Sequence, residues 1–250
     1  MSTYLTSAFV IKMRPFKERD RLYTILTEKQ GKINLLATGS QKIISKMAGH
    51  LWPGHKIYLM GAHGKQFDHL ASVRLEEIYL KPPYYLPSLI LSQTLLELVD
   101  IFTEPGQSDP YLLELLEKYF KLISYLPKQV KLWRPAAKEL LAGYILHLLK
   151  HQGLAVALSR CDKCKKELVN PVVYNWVQHG FYHQSCLSKG EKNVLLSVSG
   201  LQGLVSRNNS NFEDKAAAGI LPFLVNYISG QVGREIATLK VLRNLLRYET

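Results

Sequence analysis

All three cysteines of the 250-residue chain fall in one stretch, RCDKCKKELVNPVVYNWVQHGFYHQSC, residues 160–186. Cys161 and Cys164 form a C-x2-C pair, and His183 and Cys186 form an H-x2-C pair after an eighteen-residue interval. Such a set could be a metal knuckle, a redox pair with a spare thiol, or a loop of buried thiols. An odd number of cysteines cannot be paired off in disulfides, and the two x2 spacings favour metal. A C-x2-C turn aims two sulfurs at one point, each about 2.3 Å from a zinc ion, and the H-x2-C pair repeats that geometry from the other side. The intervening NPVVYNWV and GFYHQSC read as a short hairpin that folds the second pair onto the first. Four protein ligands leave no position for an activated water, so Cys161, Cys164, His183 and Cys186 are predicted to hold a structural Zn2+. His179 is a weaker candidate for the third ligand, because it lacks the x2 partner. His147 and His151 share a helical spacing, but no Glu follows the first as in H-E-x-x-H enzymes, and they read as ordinary helix histidines.

The second chemical signal is charge. Lys plus Arg number 32 against 20 acidic residues, a formal +12. Residues 1–80 alone carry 12 basic and 6 acidic side chains, half of the whole excess. A positive field concentrated in one part of the chain favours a polyanion, since each neutralised phosphate releases condensed counterions. The densest tract is KMRPFKERDRLYTILTEKQGK, residues 12–32, with Arg14, Lys17, Arg19, Arg21 and Lys32; Lys42 and Lys46 follow. These seven are the candidate DNA-binding residues, with Phe or Tyr nearby available to stack on bases. The alternative is a solvated strand face partly neutralised by Glu18, Asp20 and Glu28, with Phe16 and Tyr23 in the core. Lys163, Lys165 and Lys166 on the knuckle could also touch phosphate.

The elements that must position these residues follow from pattern. YLTSAFVIKM, RLYTILT and KINLLAT mix β-branched and aromatic residues as strands do, and the spacer EKQG joins the last two as a hairpin. HKIYLMG and FDHLASVRLEEIYL form another pair, with a helical spacing in SQKIISKMAG between the pairs. Five strands with a helix after the third predict an OB-fold barrel, whose face and loops commonly bind oligonucleotides. The prolines of KPPYYLP then stop the barrel. Helices are predicted over SLILSQTLLELVDIF, PYLLELLEKYFKLISYL and PAAKELLAGYILHLLKHQG. The last begins after Pro135 and is capped by Gly153. Two more helices are expected in NFEDKAAAGILPFLVNYISG, opening near Asn211, and REIATLKVLRNLLRYE. The fold class is therefore α+β: an OB barrel (1–80), a first helical part (81–157), the zinc knuckle (158–190) and closing helices (191–250).

Several function classes find no support. No Walker A sequence, dinucleotide glycine fingerprint or G-x-S-x-G elbow is present, so an enzyme is not expected. No apolar run reaches the roughly 20 residues of a membrane span. The N-terminus lacks signal-peptide order, and a cytoplasmic location is expected.

ERDRLYTILTEKQGKINLLATGSQK followed by LWPGHKIYL resembles the N-terminal domain of the bacterial RecO family. There an E-x-D-R lead, an LT-x-x-x-G-K/R hairpin, a glycine-led segment and an L-x-P element recur in this order. The helical region, the inserted cysteine knuckle and the closing helix REIATLKVLRNLL follow the same architecture. The resemblance implies a DNA repair mediator without catalytic turnover. It would bind single- and double-stranded DNA, anneal complementary strands and act with RecR. It would thereby help RecA, indirectly, onto strands coated by single-strand-binding protein. It also implies a bacterial, cytoplasmic, nucleoid-associated protein with no membrane partner. Arg19 and Arg21 flank the family's Asp, here Asp20, and Lys32 matches the basic residue after the hairpin glycine. Two departures stand out: GSQKIISK offers only Lys42 and Lys46 where relatives carry a denser basic tract, and the third zinc ligand, often Cys, is His183. A general nucleic-acid module such as an RNA chaperone, and a protein-docking scaffold, are the rival readings.

Overall fold

Alternation of inward and outward residues closes the first five strands on themselves. In the computed structural model, which describes residues 2–40, 47–155, 159–187, 193–196, 215–233 and 235–246, they are β1 (Thr3–Phe16), β2 (Asp20–Thr27), β3 (Gly31–Ala37), β4 (Lys56–Ala62) and β5 (Asp68–Glu77). They form a closed barrel in the order β1-β2-β3-β5-β4, with β1 pairing antiparallel to both β2 and β4. β1 serves two neighbours because a bulge between Val10 and Lys12 bends it. The closing pair, β3 with β5, is parallel through Leu35↔Asp68 and Leu36↔His69. This is the OB-type barrel expected from the strand pattern. Its interior holds Ala8, Val10, Tyr23, Ile25, Leu35, Ile57 and Leu59, plugged by the buried Leu51 of LWPG. Of the helix expected after β3, residues 41–46 lie outside the described residues, and Ala48–His50 form a single 3-10 turn.

Contacts divide the chain into two compact units, Met1–Tyr125 and Leu126–Thr250. The first unit adds α1 (Leu86–Phe102) and α2 (Pro110–Ser124) to the barrel. α2 starts where expected, with Pro110 at its head and the Leu112 N–H donating to Asp109 Oδ1 at 3.3 Å. Phe9 points out of the barrel and packs against Tyr79 and against Phe120 of α2, both rings 5.7 Å away. Gly54 permits that approach, since a Cβ there would lie 2.6 Å from the Phe120 ring.

The second unit opens with α3 (Val130–His151), which begins five residues before Pro135, not after it as expected. The proline removes one N–H, but the turn ahead of it is anchored by Leu132 and Trp133 donating to the Gln129 carbonyl. Burial of Trp133 adds to that anchor. At the other end Gly153, at φ 72°, and Leu154 donate to the carbonyls of Lys150 and Leu149, the paired bonds of a Schellman cap. A three-stranded sheet follows in the order β7-β6-β8: β6 (Val172–Asn175), β7 (Gly180–His183) and β8 (Asn193–Leu196). α4 (Lys215–Val232) and α5 (Ala237–Leu246) close the unit; both contact α3, and Arg134 Nε donates to the Leu245 carbonyl. The expected start of α4 near Asn211 lies outside the described residues.

Candidate metal centre and nucleic-acid interface

The hairpin of β6 and β7 folds the second ligand pair onto the first. Cys161, Cys164, His183 and Cys186 place one donor atom each within 4.8 Å of all the others. They are the one group of three or more such residues among the described residues that could hold a metal ion. The knuckle turn is built by Cys161 N–H donating to the Lys166 carbonyl and Lys165 N–H to the Cys161 carbonyl, with Lys165 at φ 59°. Asp162 clips this turn to β7: its N–H donates to the Phe181 carbonyl (2.9 Å) and its Oδ2 accepts from the Phe181 N–H (2.8 Å).

The imidazole of His183 is oriented by a backbone partner. Its Nε2 lies 2.8 Å from the Glu167 carbonyl and must donate there, which leaves Nδ1 as the lone-pair nitrogen. Nδ1 faces Cys164 Sγ at 3.4 Å and Cys186 Sγ at 3.9 Å. An outer hydrogen bond that fixes the tautomer in this way is the usual companion of a metal-ligating histidine. Burial pushes the Cys161 thiol up, but the N–H groups of Cys164, His183 and Lys163 around its sulfur outweigh that and bring it down to about 6. Burial and the neighbouring sulfurs of Cys164 and Cys161 push the Cys186 thiol the other way. Three crowded thiols that cannot all ionise comfortably suit a cation at their centre, so the donor set fits a metal. His179 sits at the hairpin turn at φ 50°, with Nδ1 3.3 Å from the Tyr174 hydroxyl, outside the cluster.

On the barrel, the basic tract becomes the hairpin of β1 and β2. Arg14 lies opposite Leu22 and Arg21 opposite Pro15, while Lys17 and Arg19 occupy the turn, with Lys17 at φ 57°. Arg14, Lys17 and Arg19 are exposed and Arg21 partly so. Asp20 holds this turn to the segment after β3, its Oδ1 accepting from the Gly39 N–H at 2.8 Å. Phe16 at the end of β1 meets Phe67 of the β4–β5 loop edge-on at 5.6 Å, so the two loops converge. That second loop is braced by Asp68, which accepts from the Tyr4 hydroxyl at 2.6 Å and from the Gly64 N–H at 3.4 Å. Phe67 and the exposed Lys65 belong to this rim, and sequence pattern did not single them out. The GKQF run offered only the mixture of glycine, charge and one aromatic that any turn can carry.

Lys32 is placed elsewhere. Its ammonium, largely buried, donates to the Asp100 carbonyl at 2.6 Å and to the Asp100 carboxylate at 3.2 Å, tying β3 to α1. Lys42 and Lys46 lie outside the described residues.

Sequence profiles extend these features to known proteins. Residues 1–79 match the family described as "Recombination protein O N terminal", and residues 86–240 match "Recombination protein O C terminal". Among curated relatives, the DNA repair protein RecO of Syntrophus aciditrophicus is 28% identical over 98% of this chain and 97% of its own. Its counterpart in Desulforamulus reducens is 27% identical over 78% of this chain and 73% of its own. That of Clostridium kluyveri is 24% identical over 100% of this chain and 96% of its own. The matches cover barrel and helices alike, and the chain belongs to the RecO family of DNA repair proteins.

Proposed function

We propose that this protein is a recombination mediator that binds single- and double-stranded DNA through its barrel and anneals complementary strands. With RecR it helps load RecA onto strands coated by single-strand-binding protein, and it does so without chemical turnover. The observation that carries the reading is the convergence of the β1–β2 and β4–β5 loops, the two loops by which OB barrels hold oligonucleotides, on an exposed basic rim. Arg14, Lys17, Arg19 and Arg21 contact phosphates there, with Lys42 and Lys46 as further contacts on the adjoining segment. Phe16 and Phe67 offer aromatic edges to bases. Lys32 contributes by holding β3 in place through Asp100. Annealing then follows physically, because a basic surface screens repulsion between two strands while their base edges stay able to pair.

The division of labour follows the elements: residues 1–80 take DNA, the helices of 81–157 and 191–250 frame the protein, and 158–190 is a metal staple. Cys161, Cys164, His183 and Cys186 hold Zn2+ as a closed structural site, and the ion supplies folding energy to the knuckle. The location is the bacterial cytoplasm at the nucleoid.

The decisive experiment anneals two complementary DNA strands already coated with cognate single-strand-binding protein, with and without this protein. Acceleration that falls steeply with salt supports the mediator reading. No acceleration by folded, metal-loaded protein overturns it, and a preference for RNA over DNA points instead to an RNA chaperone.

A further inference from the structure

A cleft lies in the C-terminal unit between the three-stranded sheet and α4, and none of the four cluster residues lines it. It encloses about 870 Å³, inside the roughly 300–1,000 Å³ range of ligand clefts. Tyr174 of β6 lines it and is itself buried. Trp176 and Tyr227 stand nearly perpendicular to the Tyr174 ring, at 78° and 79°, with centroids 4.8 and 6.0 Å away. α4 presents Asn226, Tyr227, Gly230 and Gln231 on one face by its helical spacing.

The polar groups here are three amides, two tyrosine hydroxyls and the imidazole of His179, whose Nδ1 lies 3.3 Å from the Tyr174 hydroxyl. The side-chain amides of Asn226 and Gln231 have no hydrogen-bond partner among the described residues. Asn193 accepts at Oδ1 from Asn175 Nδ2 (3.2 Å), which fixes its amide plane. Among the described residues, no Asp, Glu, Lys or Arg lines the cleft. Aromatic rings beside amides that can both donate and accept suit a flat, hydrogen-bonding ring. The knuckle segment 158–190 nevertheless carries five basic against two acidic residues, a field that favours the backbone such a ring would hang from.

We propose that this cleft takes an unstacked base of single-stranded DNA, stacked on Trp176 or Tyr227 and held at its edge by Asn193, Asn226 and Gln231. This rests on the nucleic-acid reading above and adds to the barrel a second, base-dependent contact that duplex DNA cannot make. Gly230 supplies the test position, since it lines the cleft and a Cβ there meets nothing within 4 Å among the described residues.

The experiment compares, at one salt concentration, affinity for a thymidine oligomer, an abasic oligomer of equal length and a duplex. The wild-type protein is expected to bind the abasic strand about tenfold more weakly than the thymidine strand. Gly230→Leu and Trp176→Ala, checked for metal content and melting temperature, are expected to bind the thymidine strand as weakly as wild type binds the abasic one, with duplex affinity unchanged. Equal wild-type affinity for abasic and thymidine strands overturns the proposal while leaving DNA binding intact, and that comparison needs no variant. A base preference that survives folded Gly230→Leu overturns it too, by moving the preference elsewhere. Failure to bind any of the three removes the DNA-binding reading itself.

Discussion

The ammonium of Lys32 sits 2.6 Å from the backbone carbonyl of Asp100 and 3.2 Å from its carboxylate, and Lys12 reaches the same carboxylate from β1 at 2.6 Å. Two strands of the barrel thus converge on one residue of α1. A hairpin lysine that reads as a phosphate contact is a staple between sheet and helix. Lys56 repeats the device from β4 to Glu117 of α2 at 2.7 Å.

The staple predicts an acid-sensitive term in stability. Burial opposes ionisation of Asp100, but the hydrogen bond from Lys12 and the charge of Lys32 prevail and hold its carboxyl below the ordinary range. A depressed carboxyl stabilises the fold above its unfolded value, near about 4, and loses that contribution as pH falls through the folded value. Asp100→Asn is expected to cost about 1–3 kcal/mol at neutral pH. Urea unfolding of both proteins from pH 7 to pH 3 should show the gap narrowing with acid; a constant gap would assign the cost to packing.

Gly31 is expected to tolerate no side chain. It sits at φ 65°, and an added Cβ would lie 1.8 Å from the Gln107 carbonyl oxygen in the α1–α2 connection. Gly31→Ala therefore combines left-handed strain with a backbone clash, and should lower stability by roughly 1–3 kcal/mol. Gly49→Ala, where a Cβ meets nothing within 4 Å, is the matched control in a thermal melt.

Metal and fold should be lost together. Cys164→Ser is expected to abolish stoichiometric zinc and to lower the melting temperature, whereas His179→Ala should keep the metal. Chelation of the wild type should reproduce the cysteine variant. Acid should do so as well, because His183 and the thiols must be deprotonated to bind. Elemental analysis alongside the melts checks this, and full zinc in Cys164→Ser would remove that residue from the ligand set.

The exposed rim should behave as a set of phosphate-binding side chains. Arg19→Ala combined with Arg21→Ala is expected to weaken single-strand binding at every sequence. It should also make the slope of log affinity against log salt shallower by roughly 0.7 for each arginine–phosphate pairing removed. Melting temperature should barely change, as both side chains reach solvent. Phe67→Ala should instead weaken binding with little change in slope, since it removes an aromatic edge and no charge.

Much of this was legible in order along the chain. The short apolar runs RLYTILT and KINLLAT yield β2 and β3, because β-branched and aromatic side chains fit a pleated, buried surface and the EKQG spacer is the length of a hairpin turn. The two x2 spacings name the cluster, because a tight turn places two donors on one point whatever surrounds it. Helix ends were legible where the signal is local, as at Pro110 and Gly153. They were not at Val130, where burial of Trp133 reinforces the hydrogen bonds to the Gln129 carbonyl.

What a charged or polar residue is for depended on distant partners. Lys32 and Arg21 look alike in one dimension, yet one is held by Asp100, sixty-eight positions away, and the other reaches solvent. Asp20 reads as charge balance and proves to be the acceptor for Gly39. The orientation of His183 rests on the Glu167 carbonyl, which no spacing rule contains. Local pattern and spacing determined most of the elements and the candidate metal cluster, because those depend on neighbours in the chain. The roles of the lysines, the meeting of Phe16 with Phe67 and the cleft beside α4 were decided by the tertiary structure, because burial and pairing are properties of the surroundings and not of the residue.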